Sequence, residues 1–240
     1  MRAVTFRDRL LHTLRQCRVI WSVPGVLIGG SEVPNLFERG AASTLVVSED
    51  VDLIVPVTRH AEVKARLAEL AGFHPSADEP SVFVPESMDL IELNFIGSDE
   101  DRMRLGEVYV LEDAVLPMLV FGNLGLLRPG PPIAVEDLLI PVPRPAGLML
   151  EKLITDRSGV KGDRDLLVVL GLLLVAEEAD LAELVETYRT LPDEFRYHVR
   201  ANLGLLSLLE PHHGMPDPAP HRARLAALLA QLEQATEATP

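Results

Sequence analysis

The sequence predicts an α/β (α+β) protein with two parts. A domain built on a mixed sheet spans residues 1–144, and an all-helical C-terminal domain spans 145–240. Three observations carry this. Short apolar runs bounded by Gly, Pro and Ser interleave with helical spacing as far as Phe95, the pattern of strands alternating with helices. Pro129-Gly130-Pro131-Pro132 and Pro141 to Pro145 bracket a segment that is neither continuous helix nor central strand, because proline removes a backbone donor and fixes φ. From Ala146 almost every window repeats its apolar residues at helical spacing.

Element by element, Phe6, Leu10, Leu11 and Leu14 predict an amphipathic helix from Phe6 to about Arg18. Val26-Leu27-Ile28 is predicted as a buried strand ending in Gly29-Gly30-Ser31, and the stretch to about Arg39 as a helix capped by Ser31. Leu45 to Val47 and Val51 to Val55 are the next predicted strands, separated by Ser48-Glu49-Asp50. Val63, Leu67 and Leu70 predict a helix from Glu62 to Ala71, stopped by Gly72. Val82 to Val84 and Met88 to Phe95 predict two strands joined through Pro85-Glu86-Ser87, and Gly106 to Val110 adds another. In the second domain helices are expected at about 146–156, 163–176, 178–190, 192–209 and 220–235, with a proline-rich loop from Pro211 to Pro220.

Composition narrows the classes of function. With 240 residues, 48% of them hydrophobic and 24% charged, the chain is globular rather than disordered or fibrous. Thirty-six acidic residues outweigh 22 basic ones for a net charge of −14, spread over both halves. A broad nucleic-acid footprint needs the opposite sign, so no bulk DNA binding is expected. Cys17 is the only cysteine, which excludes an internal disulfide and a cysteine-based zinc cluster. The seven histidines are scattered without metal-ligand spacing. The N-terminus lacks the apolar core of a secretory signal, and the longest apolar run, Leu166 to Ala176, falls short of the roughly 20 residues that cross a bilayer. The expectation is a cytoplasmic protein with no membrane partner.

One constellation carries chemistry. Gly29-Gly30-Ser31 sits at a strand-to-helix junction, and Asp50-Val51-Asp52 enters a later strand. Residues i and i+2 of a strand share a face, so Asp50 and Asp52 point together. Two neighbouring carboxylates repel, and a divalent cation holds both ionised; magnesium suits them because it takes oxygen ligands and keeps room for phosphate oxygens. Glycines let a backbone approach phosphate closely, and a following helix offers free N–H groups. Metal on one side and a phosphate cradle on the other imply a bound nucleoside triphosphate.

In this order, these residues resemble the nucleotidyltransferase superfamily, whose signature is a Gly-Gly or Gly-Ser turn followed by Asp-x-Asp on the next strand. Ser48-Glu49-Asp50-Val51-Asp52-Leu53 matches the corresponding segment of the AbiEii-like branch, which is associated with toxin–antitoxin systems. Glu151 to Leu166 resembles a second motif of that branch at Lys152, Arg157, Lys161 and Asp165. Lys152 and Lys161 are two of only three lysines in the chain, the third being Lys64. Val46 and Gly162 depart from the branch, which often has arginine and aspartate there.

What the resemblance implies is a nucleotidyltransferase-fold domain, with the helical domain supplying phosphate-binding lysines. Asp50 and Asp52 would hold Mg²⁺ or Mn²⁺. Asp89 would be the third metal-site carboxylate and general base, with Glu92 on the opposite strand face as the alternative. Gly29, Gly30, Ser31, Lys152, Arg157, Lys161 and Asp165 would bind the nucleotide, with ATP first among the candidate triphosphates. The expected reaction moves a nucleoside monophosphate onto an acceptor hydroxyl of an RNA end, a protein side chain or a small molecule. A cognate antitoxin is a further partner implied by the branch. The alternative reading is a non-catalytic nucleotide sensor or interaction module on the same fold.

Overall fold

The computed structural model of the chain describes residues 5–43, 50–99, 104–155 and 159–237. The fold is mixed α/β of the α+β kind, with a mixed sheet and several helices. It divides into two compact units: Met1–Val33 with Ser48–Pro143, and Pro34–Val47 with Arg144–Pro240. The later boundary falls at the second proline-rich stretch, one residue from its expected place. The assignment of Pro34 onward to the helical unit was not legible in the sequence.

Unit 1 opens with α1 (Phe6–Gln16) and α2 (Arg18–Trp21). Helix α1 starts with a reciprocal cap, in which the Thr5 hydroxyl accepts from the Asp8 N–H at 3.2 Å and the Asp8 carboxylate accepts from the Thr5 N–H at 3.0 Å. Its buried face is Leu10, Leu11, Thr13 and Leu14. Among the described residues a seven-stranded sheet follows, in the order β1 (Leu27–Ile28), β2 (Asp50–Pro56), β5 (Glu92–Ser98), β4 (Val82–Pro85) and β3 (Phe73–Pro75). Strand β7 (Met118–Phe121) pairs with the later part of β5 and carries β6 (Val108–Leu111) on its other edge. The β2–β5 and β5–β7 pairs are parallel and the others antiparallel. Helix α4 (His60–Arg66), extended by a 3-10 turn over Leu67–Glu69, begins the crossover from β2 toward β5. The sheet core contains Val51, Leu53, Val55, Leu93 and Phe95, with Phe83 tilted against Phe95 at 5.0 Å between ring centres.

Between the proline stretches the chain forms a small hairpin, β8 (Ile133–Val135) and β9 (Leu138–Ile140), which the proline reading did not anticipate. Glu136 turns it with φ of 53°, and Arg15 pairs with both Glu136 and Asp137. The hairpin continues into the sheet where the Ile28 N–H donates to the Pro141 carbonyl at 2.9 Å.

The strand expected over Met88 to Phe95 is corrected: β5 runs from Glu92 to Ser98. Residues Ser87 to Leu90 close a turn, with the Leu90 N–H donating to the Ser87 carbonyl at 3.2 Å. The Ile91 N–H then donates to the Thr13 hydroxyl at 2.8 Å instead of to a neighbouring strand. Arg9 adds a bond from Nη2 to the Leu90 carbonyl at 2.9 Å, so α1 fixes the chain just before it enters β5. The strand expected at Leu45 to Val47 lies outside the described residues.

Unit 2 holds α5 (Pro145–Ile154), α6 (Gly159–Val175), α7 (Glu178–Thr190), α8 (Asp193–Leu206) and α9 (Arg222–Glu237), all close to the expected spans. Helix α3 (Glu32–Phe37) starts in unit 1 and ends in this one. Pro145 occupies the first turn of α5, where a missing N–H costs nothing. At the other end of α5, the buried Asn202 amide donates to the carbonyls of Leu153 and Thr155 at 2.8 and 3.1 Å, satisfying groups a helix end leaves open. The fully buried Tyr188 joins three helices: its hydroxyl lies 3.1 Å from Thr236 Oγ1 and accepts from Arg200 Nη1 at 2.7 Å. Gly171 explains why Pro34 onward belongs here, since a Cβ at that position of α6 would overlap Asn35 Oδ1. Among the described residues no helix is long and apolar enough to cross a membrane.

The tether between α1 and β5 is testable. Thr13→Val keeps shape and burial but strands the Ile91 N–H, so unfolding in urea should show a loss of about 1–3 kcal/mol. Thr13→Ser, which keeps the acceptor, should lose less.

Candidate functional site

Strand β2 alternates half-buried and buried residues at its start, so Asp50 and Asp52 share one face while Val51 and Leu53 enter the core. Strand β5 lies beside it in parallel register, with Asp50 opposite Glu92 and Asp52 opposite Asn94. Four polar side chains therefore form two short rows on one face at the strands' N-terminal ends. Asn94 Nδ2 donates to Asp52 Oδ1 at 3.1 Å, which fixes the orientation of that carboxylate. Asp50 Oδ1 is buried and, among the described residues, has no hydrogen-bond partner. A carboxylate oxygen taken from water without a donor or cation in return is costly, and such atoms in folded proteins call for an explanation.

Glu92, not Asp89, is the carboxylate aligned with this pair. Burial, then the charges of Asp50 and Glu79, push the Glu92 carboxyl above its ordinary value. Asp89 sits instead in the turn before β5, where its carboxylate accepts from the Ser87 hydroxyl and lies 3.0 Å from His12 Nδ1. Those partners, the Ser87 bond foremost, hold it below its ordinary value. The sequence favours Asp89 because Asp89-Leu90-Ile91, early in a strand expected over Met88 to Phe95, resembles the family segment. With the strand starting at Glu92, the residue in register with Asp50 changes.

The glycine turn divides into two findings. Gly29 is required: its N–H donates to the Asp52 carbonyl at 2.8 Å, and a Cβ there would overlap the Ile54 side chain. Close approach of β1 to β2 thus depends on glycine. At Gly30 the space a Cβ would take is filled by the Glu32 carboxylate, and Ser31 is 2% exposed. An anionic group belonging to the protein already stands where the sequence reading expects a phosphate to approach, and α3 beyond it has only six residues.

The second motif lies in unit 2. Lys152 is half-buried on α5, and Asp165 is 7% exposed on α6. Arg157 lies outside the described residues, as do Ser48 and Glu49, and of Lys161 only the backbone, in α6, is described. Cys17 is completely buried and its thiol is pushed up to about 12, which leaves it without thiolate character at neutral pH.

Asp50 and Asp52 share one strand face, with Glu92 next to them. Among the described residues no group of three or more His, Cys, Asp and Glu side chains is arranged as a metal site by itself. Magnesium does not demand one, because it is commonly held by one or two carboxylates with waters and substrate phosphates completing the shell. The orphaned Asp50 oxygen fits that chemistry.

Glu92→Gln should stabilise the metal-free protein at pH 7, by about 0.2–1 kcal/mol for relief of like charges side by side on neighbouring strands. A raised folded-state value disfavours the ionised form, so the penalty in the natural protein acts above that value and disappears as the pH falls below the ordinary glutamate range. Denaturant curves at pH 7 and pH 4 should show the variant's advantage at the first and little at the second. Compared with models of known protein families and with curated protein sequences, the chain matches none.

Proposed function

We propose that the Asp50, Asp52 and Glu92 cluster binds a divalent cation with a nucleoside triphosphate and transfers a nucleoside monophosphate to an acceptor hydroxyl. The observation that carries this reading is Asp50 Oδ1, buried and without a partner among the described residues, in a row with Asp52 and beside Glu92. The resemblance of Gly29-Gly30 and of Ser48 to Leu53 to nucleotidyltransferases supports it from the sequence side.

In this reading Asp50 and Asp52 hold the cation, and Asn94 keeps Asp52 turned toward it. When bound, Mg²⁺ or Mn²⁺ supplies charge stabilisation for the phosphates. Transfer forms a bond from the acceptor oxygen to the α-phosphorus and breaks the bond from that phosphorus to the bridging oxygen, so pyrophosphate leaves. The acceptor proton passes to the Glu92 carboxylate, whose raised proton affinity suits a general base. Asp89, already engaged by Ser87 and His12, stands aside from the reaction.

A second reading, a nucleotide sensor or interaction module without transfer, has its own observation: the Glu32 carboxylate occupies the approach to Gly30, where a catalytic phosphate would come close. Two measurements separate them. Calorimetry with Mg²⁺ and ATP should show metal-dependent binding that falls about tenfold or more in Asp50→Asn and Asp52→Asn, both folded, and persists in Asp89→Asn. Transfer, but not sensing, then releases pyrophosphate and labels an acceptor in cell extract. Binding unchanged in both aspartate variants rejects the site.

The lysines are tested by themselves. Lys152→Ala should weaken triphosphate binding by roughly ten- to a hundredfold, the worth of a charge-assisted hydrogen bond, and leave binding of the bare nucleoside unchanged. Lys64, held by Asp113 at 2.6 Å, is the control whose alanine variant keeps triphosphate affinity.

A further inference from the structure

A cavity of about 350 Å³ lies at the opposite end of β2 and β5 from the carboxylates. Seven-residue strands separate the two places by roughly 20 Å, at about 3.3 Å per residue. One wall is a type II turn: Pro24 and Gly25 are its central residues, Gly25 has φ of 91°, and the Val26 N–H donates to the Val23 carbonyl at 3.1 Å. Pro56 closes β2 against that turn, and Pro129 adds a third ring to the apolar lining. Proline rings and a hydrogen-bonded turn make these walls stiff, so the cavity exists before any ligand arrives.

The polar side is supplied by Ser98, Thr58 and Arg59. Ser98, the last residue of β5, is only 8% exposed and lines the cavity from the sheet side. The guanidinium of Arg59 reaches Glu62 at 3.5 Å, the long limit of a hydrogen bond, which among the described residues leaves most of its donor fork unused. The carboxyl ends of parallel strands are where open α/β sheets place ligands, and the volume falls at the small end of known ligand pockets.

We propose that this cavity is a second ligand site, for an oxyanion carried on a compact apolar body, a phosphomonoester or a carboxylate. Arg59 meets the charge, Ser98 and Thr58 donate to the anion, and the apolar part lies against the proline rings. A protein of net charge −14 repels anions in general, so binding here requires this local cation.

The test is a titration of the whole ¹⁵N-labelled chain with phenyl phosphate, benzoate and phenol in separate arms. Saturable shifts at the amides of Gly25, Thr58 and Ser98 with one or both anions, and weaker binding of phenol, support the site; whichever anion binds more tightly identifies the headgroup. Arg59→Gln should lower affinity about tenfold, and Glu62→Gln should raise it by freeing the guanidinium. Arg59 is a surface side chain, so its variant should keep the natural amide spectrum, and Ser98→Ala provides a further loss from the buried side. The proposal is overturned if neither anion gives saturable shifts, if shifts centre on Asp50 and Glu92, if phenol binds as tightly as the anions, or if Arg59→Gln binds undiminished.

Discussion

Seven consecutive residues of β2 run parallel to seven of β5, from Asp50 opposite Glu92 to Pro56 opposite Ser98, and almost every feature of unit 1 follows from that register. It sets Asp52 against Asn94 and Asp50 against Glu92 at one end of the pair. At the other end it sets Ser98 opposite Pro56, and both line the same cavity. A slip by one residue would send the polar row into the core and bring Val51 and Leu53 to the surface, because side chains alternate across a strand. The register is held from outside as well: Thr13 and Arg9 of α1 bind the chain just ahead of β5, and Gly29 lets β1 lie close enough to bond β2.

The polar end of this pair is under electrostatic tension. The charges of Asp50 and Glu79 both act on the partly buried Glu92, and Asp52 has the neutral amide of Asn94 beside it. A fold does not need this arrangement, since apolar residues at the same positions would pack without repulsion. Local strain of this sort is most often kept where a ligand relieves it. The Glu32 carboxylate over Gly30 adds negative charge close to the same turn, so any phosphate approaching there must move it or bring a cation. The distant cavity has the reverse chemistry, with a cation and two hydroxyls set among proline rings.

Much of this was legible in the chain itself. The strand containing Asp50 and Asp52, the helices from Pro145 onward and the boundary near Pro143 were all written in apolar periodicity and in prolines, which act locally and need no tertiary partner. The required glycine at position 29 was legible for the same reason, although its observed role is contact with Ile54. Tertiary structure alone decided which carboxylate stands in register with Asp50. Met88 to Phe95 reads as one apolar-rich strand, and nothing local says that Ser87 to Leu90 will turn and that Ile91 will bond to a threonine 78 residues earlier. That long-range bond lies just ahead of β5, whose first residue, Glu92, is the one opposite Asp50. The same holds for the cavity at Ser98, whose walls come from four separate stretches of chain, and for Pro34 onward, which joins the helical unit because Gly171 leaves room for Asn35. Spacing along a chain determines which residues share a face; which faces meet depends on packing between segments far apart in sequence.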